Sequence, residues 1–279
     1  MLYYRPHNLI NVFRDHKKFR DLSVPGPTVC PNREKSISVC TTCMNRLDDL
    51  KRTLPKNIED NKNYDNAEFI LLDYGSSEDI EGWVKKRLMH HIESGRLKFY
   101  RTKNKFKYFR PSHARNLSFR LAQNELVTNV DSDNMMNKGF LRRLNECAGV
   151  GDERILICAD NFLEYGSNRL RMKGRFCVYK KDIEMLRGFD EDLDEGFSHD
   201  DVNFVFRAML ARFKIVRYEK RFNDGRIETS DKKKLTHIAN HNWDETRKMN
   251  QDLTLYKLTR GRITVNRDRE WGQCELATT

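Results

Sequence analysis

Along this chain, short apolar runs alternate with longer stretches in which apolar residues recur at helical spacing. Residues 36–40 hold Ile37, Val39 and Cys40 and predict a strand. Thr41 to Asn45 reads as a polar loop. Residues 46–58 place Leu47, Leu50, Leu54 and Ile58 three and four apart, the buried stripe of a helix, with Pro55 expected to kink or shorten it. Residues 68–72 predict a strand with the continuous apolar run Phe69 to Leu72, as in a parallel strand covered on both faces. The pattern then predicts a helix over 78–93, a strand over 97–100, a helix over 111–124 and a strand from Leu126 to Val130. Farther on it predicts helices over 138–147, 181–186 and 202–213, and strands over 154–159, 174–179 and 214–218.

This rhythm argues for an α/β fold with an open, mostly parallel sheet. Ligands of such sheets bind beyond the carboxyl ends of the strands. The loops 41–46, 73–77 and 131–134 all fall at such ends. Residues 1–35, rich in Arg, His, Asn and Pro, read as an extension whose Tyr3, Tyr4, Phe13 and Phe19 pack on something. The end of the chain reads as a polar tail.

Composition narrows the picture. At 279 residues with 38% hydrophobic positions, the chain can bury a sizeable core. A mean hydropathy of −0.80 and the lack of any apolar run near 18 residues exclude a spanning helix. Met1 to Asn11 has no signal-peptide character, so the expected place is the cytoplasm, with contact to a membrane surface left open. A net charge of +11 attracts polyanions without choosing among them. The seven cysteines form no framework; Cys40 and Cys43 read as two incidental thiols, and the pattern suits a reducing compartment.

The strongest chemistry lies at the end of the strand that starts at Leu126. Asp131 and Asp133 stand at i and i+2 where that strand frays, so they can take hold of one ion from two sides. Oxygen ligands suit a hard divalent cation, Mn2+ or Mg2+, and a diphosphate is the natural second partner of that cation. The same residues also suit a simple turn. Asp73 at a second strand end makes a nucleotide site the better reading. A second acidic pair, Asp200 and Asp201, falls at the start of a predicted helix, where carboxylates serve equally as caps or as catalytic groups.

Together these segments resemble a nucleotide-sugar glycosyltransferase of the GT-A fold, of the inverting family 2 type, from about Ser36 to Tyr218. The first strand and loop, with Thr41, Cys43, Asn45 and Arg46, resemble the part that holds uracil and ribose. The segment Asp73, Tyr74, Gly75, Ser76 resembles the family's D-x-G-S stretch, whose Asp contacts the base. Ala114, Arg115 and Asn116 resemble its A-R-N segment, and Asp131, Ser132 and Asp133 its metal-binding D-x-D. Gly188 to Glu191, followed by Gly196 to Asp201, resembles the G-F-D-E and G-x-G-G-E-D segments of galactosyltransferase-type C-terminal halves. Here Ser198 and His199 replace the glycine pair, and Asp200-Asp201 replaces Glu-Asp.

The resemblance implies a GT-A, Rossmann-like sheet divided into an extension (1–35), a nucleotide-sugar half (36–134), an acceptor and catalytic half (135–236) and a tail (237–279). It implies a metal-dependent enzyme moving a hexosyl group from a UDP-sugar to a hydroxyl of a glycan or glycoconjugate, in polysaccharide or glycoconjugate synthesis. Asp131, Asp133 and His237 would hold Mn2+ or Mg2+, with His241 a rival to His237. Asp201 or Asp200 would be the base. An anionic donor accounts for part of the positive charge without nucleic acid. The alternatives are a non-catalytic module holding a polyanion or glycan, for which the basic, aromatic stretch 101–110 speaks, and a nucleotidyltransferase.

Overall fold

The computed structural model describes residues 23–27, 33–149, 154–159, 175–196, 198–222, 225–227 and 242–277. The predicted alternation is realised. Strands β1 (Ser23–Pro25), β2 (Ile37–Cys43), β3 (Ala67–Asp73), β4 (Leu97–Arg101), β5 (Leu126–Asn129), β7 (Ile155–Ala159), β8 (Phe176–Tyr179) and β9 (Lys214–Tyr218) form one eight-stranded sheet in the order β1-β9-β7-β8-β5-β2-β3-β4. Only β8 runs against its neighbours, β5 and β7; the remaining pairings are parallel. A small ribbon pairs β6 (Asn134–Met135) with β10 (Gly225–Arg226), antiparallel.

Helices cover both faces, because alternate residues of the buried strands point to opposite sides. One face packs α1 (Leu47–Asp60), α2 (Ile80–Arg87) and α5 (Phe140–Ala148) around Leu50, Leu54, Ile58, Val84, Phe140 and Leu144. The other packs α4 (Pro111–Leu121), α6 (Lys180–Leu186), α7 (Asp200–Leu210) and α8 (Trp243–Thr259) around Phe119, Ile183, Phe189, Phe204, Met209 and Leu258. A short helix, α3 (Met89–Glu93), follows α2.

Several boundaries differ from the sequence reading. β2 runs on through Cys43, since Thr41, Thr42 and Cys43 keep pairing with Leu71, Leu72 and Asp73. Pro55 does not shorten α1, which continues to Asp60. The helix expected over 78–93 divides at Leu88, where the backbone leaves helical geometry. The expected extension supplies β1, which pairs in parallel with β9. The expected polar tail supplies α8 and a strap over 260–277. In that strap, Leu276 bridges Thr102 at the outer edge of β4, and Gly272 lies against Asn116.

Gly272 has φ +59, and a Cβ there would stand 2.6 to 2.8 Å from backbone and side-chain atoms of Asn116. Gly272→Ala is therefore expected to cost about 2–4 kcal/mol of stability, read as a drop in melting temperature.

Candidate active site

The chain order gives the site its place. From β2 the chain adds β3 and β4 on one side, then returns to add β5 on the other. That reversal opens a crevice beyond the ends of β2 and β5, where α/β sheets bind ligands. Two predicted groups meet in it: the Arg46 guanidinium donates to Asp133 Oδ2 at 3.2 Å.

Local chemistry builds each wall. After β2, Asn45 turns the chain with φ 54, a left-handed conformation that Asn tolerates. Its Oδ1 accepts from the backbone N–H and hydroxyl of Ser77, and its own N–H donates to Ser76 Oγ. The 43–46 and 73–77 loops are thereby joined. Asp73 is fully buried and accepts from the Ser76 N–H at 2.8 Å. Burial pushes its carboxyl up, against the bonds from Ser76 and the charge of Arg101. Gly75, at φ +76, lies under the 104–106 loop, whose Phe106 ring stacks on Tyr74 at 4.3 Å. The basic, aromatic stretch is thus packed over the predicted nucleotide loop.

The D-x-D residues form a turn closed by the Asn134 N–H on the Asp131 carbonyl. Helix α1 holds this turn: the Thr53 hydroxyl donates to the Ser132 carbonyl and the Asn57 amide to the Asn134 carbonyl. The Asn57 Oδ1 accepts from the Met136 N–H. Ser132 and Asp133 are buried, whereas the Asp131 side chain is 32% exposed.

The second acidic pair opens α7. Ser198 and His199 both have left-handed backbone, φ 74 and φ 79, where the resembled family has glycines. The glycine geometry is kept by non-glycine residues, with some strain. Asn250 of α8 fixes this approach by donating to the Leu193 and Ser198 carbonyls.

Arg115 joins the two acidic pairs. It donates to Asp131 Oδ1 at 3.2 Å and, closer, to Asp200 Oδ2. Burial penalises its charge, but Asp200, Asp131 and Asp201 outweigh that and keep it protonated. Partial burial would raise Asp131; the Arg115 charge and the bonds from Asn129 and Arg115 hold it below the usual carboxylate range. Asp201 goes the other way. Burial pushes it up to about 8, and the neighbouring Asp200 charge adds to the shift. Arg115 thus holds Asp131 ionised, while Asp201 is suited to hold a proton near neutral pH.

Not every predicted residue faces this cavity. Thr41 and Cys43 are buried within β2. Asn116 is fully buried: its amide donates to the Phe189 carbonyl and Glu191 Oε1, and its Oδ1 accepts from the Phe189 N–H. It is a strut beneath the acidic segment. His237 and His241 lie outside the described residues.

The sequence reading missed what holds the acidic segment. Lys257 of α8 is buried and donates to both oxygens of Asp190, at 2.8 and 2.7 Å, and to Asp192. Glu191 Oε1 accepts from the Asn116 amide and the Gly272 N–H. Asn266 caps the Glu191 N–H and donates to the Arg187 and Phe189 carbonyls. The available signal was a run of polar residues three and four apart, Thr246, Asn250, Thr254 and Lys257, all buried.

The family model of glycosyl transferase family 2 matches residues 38–216, most of the chain, including both acidic pairs and Arg115. The chain belongs to glycosyl transferase family 2. No curated protein sequence matches this family 2 chain. Among solved structures it is similar to the mannosyltransferase PcManGT from Pyrobaculum calidifontis, in complex with GDP-Man and Mn2+, with 16% identity and a TM-score of 0.56. That match covers 78% of this chain and 64% of the mannosyltransferase. It is also similar to S. aureus TarS 1-349 in complex with UDP, with 14% identity, a TM-score of 0.52, and coverage of 84% and 73%. The match to S. aureus TarS itself covers only 44% of that protein. These likenesses establish the GT-A fold.

Among the described residues, no group of three or more His, Cys, Asp or Glu side chains could hold a metal ion. Asp131 and Asp133 offer the oxygen donors that suit a hard divalent ion, and a diphosphate would complete such a set. No described helix is long and apolar enough to cross a membrane.

Proposed function

We propose that this glycosyltransferase moves a hexosyl group from a UDP-sugar to a hydroxyl of a glycan or glycoconjugate, by one displacement that inverts the anomeric carbon. The single observation that carries the reading is Arg115, which joins the D-x-D carboxylate Asp131 to Asp200, the first residue of α7. The nucleotides in the mannosyltransferase and TarS structures, and the Mn2+ in the former, support a metal-assisted nucleotide-sugar site.

In this mechanism the loops 43–46 and 73–77 cradle the nucleoside, and Asp131 and Asp133 would hold Mn2+ or Mg2+, which when bound would offset charge on the leaving diphosphate. Asp201 takes the proton of the acceptor hydroxyl. The freed oxygen attacks the anomeric carbon on the face opposite the diphosphate, and the bond to UDP breaks as the new glycosidic bond forms. Arg115 offsets the negative charge gathered there and keeps Asp200 turned toward the donor. The positive charge of the chain draws in the anionic donor, and any membrane contact would be peripheral.

A thermal-shift panel of nucleoside diphosphates, each with and without Mn2+, tests the donor. UDP with Mn2+ at a hundredfold excess over Kd should raise the melting temperature by about 5 °C. A shift with GDP alone would move the reading to a guanosine donor, and no shift with any nucleotide would defeat it.

A further inference from the structure

Arginines already hold both D-x-D carboxylates. Asp131 is held by Arg115, and Asp133 Oδ2 is held by Arg46 at 3.2 Å and Arg226 at 3.5 Å. Arg46 is largely buried and also pairs with Asp49 at 2.6 Å, so its place is fixed. Arg115 is equally enclosed and tied to Asp200. Arg226 differs. Its side chain is 42% exposed and its contact with Asp133 is the longest of these.

Its backbone, by contrast, is firmly placed. Arg226 pairs with Asn134, the residue after the D-x-D, and the next N–H, that of Ile227, donates to the Asp133 carbonyl at 2.8 Å. Arg175 clamps the ribbon from within by donating to Asn134 Oδ1 and the Gly225 carbonyl. Arg226 is therefore a half-exposed guanidinium on a fixed ribbon, resting on the carboxylate that a cation would need.

We infer that Arg226 is an exchangeable counter-ion: it occupies Asp133 until the donor arrives, then passes to the diphosphate as the metal takes Asp133. This inference rests on the reading of the site as one for a nucleoside diphosphate and a metal. A dication binding alone must displace the Arg226 guanidinium from Asp133 and leave it beside the ion, which like-charge repulsion opposes. A diphosphate changes that balance, since it offers the released guanidinium several anionic oxygens. Metal and nucleotide then favour each other's binding by the same factor.

The test is a Mn2+ titration, followed by electron paramagnetic resonance of the free ion, on the wild-type chain and Arg226→Gln, with and without UDP. Calorimetric binding of UDP and of uridine accompanies it. In the wild type, UDP should tighten Mn2+ binding at least tenfold. In Arg226→Gln, Mn2+ alone should bind several-fold more tightly and UDP with Mn2+ about tenfold more weakly, while uridine affinity stays unchanged. Arg226→Lys should restore part of the UDP affinity. A variant that leaves both affinities unchanged, or weakens Mn2+ alone as well as UDP, overturns the exchange while the donor site stands. A wild-type chain that binds neither metal nor nucleotide overturns the functional reading and this inference with it.

Discussion

Asp201→Asn leaves transfer slower by about a thousandfold while UDP affinity stays within a few-fold of wild type. Asn keeps the size and the capacity to accept the Val202 N–H, which now meets Asp201 Oδ1 at 2.7 Å, but it cannot take a proton. General bases contribute about 10²–10⁴-fold, and Asp200 is a poor substitute because Arg115 holds it. The pH dependence follows from the raised Asp201. Its basic form fills as pH rises toward about 8, so wild-type transfer should climb through neutrality and level off above that value. The stability sign is the reverse. A carboxyl raised in the folded state stabilises the fold below its unfolded value near 4 and loses that contribution as pH rises through about 8. Asp201→Asn should therefore melt higher than wild type at pH 8.5 and lose the climbing limb of the rate profile. Stopped assays of sugar transfer across pH 5–9, with parallel melts, check both.

The second large effect is at the opposite acidic pair. Asp133→Ala removes one of the two carboxylates proposed to hold the ion and leaves Arg226 without its partner there. Transfer should fall by about a hundredfold or more, and UDP binding should lose its dependence on Mn2+. The fold should survive, because Arg46 keeps Asp49 and the turn keeps the bonds from Thr53 and Asn57. Near-normal transfer by both variants would remove Asp133 and Asp201 from the chemistry altogether.

The strands and helices that bury apolar faces were legible in the sequence because burial leaves a periodic trace. Leu50, Leu54 and Ile58 marked α1, and the run ending at Leu72 marked β3. Helix α8 left no such trace. Its buried residues Thr246, Asn250, Thr254 and Lys257 are polar and join Leu258 on the inward side, where Asn250 and Lys257 bond to the acidic segment. The stripe Thr53, Asn57 and Asn61 of α1 and the residue that follows it has the same character and holds the D-x-D turn and the start of α5. β1 was silent for another reason: three residues ending in Pro25 are too few to show a period. The acidic pairs were visible as motifs, but their meeting was not, because Arg115 does the joining from a third element. Asn116 is the reverse case: its position in the motif suggested the donor, whereas its bonding capacity is spent on Phe189 and Glu191.

The partners of the acidic segment come late in the chain. Asp190 waits 67 positions for Lys257, and Glu191 waits 81 for the Gly272 N–H. A ribosome making this protein thus extrudes both strand-end motifs and both carboxylate pairs well before the groups that hold them in place. The nascent enzyme has its ingredients but no working centre, and it becomes competent only when the last helix and strap emerge and dock.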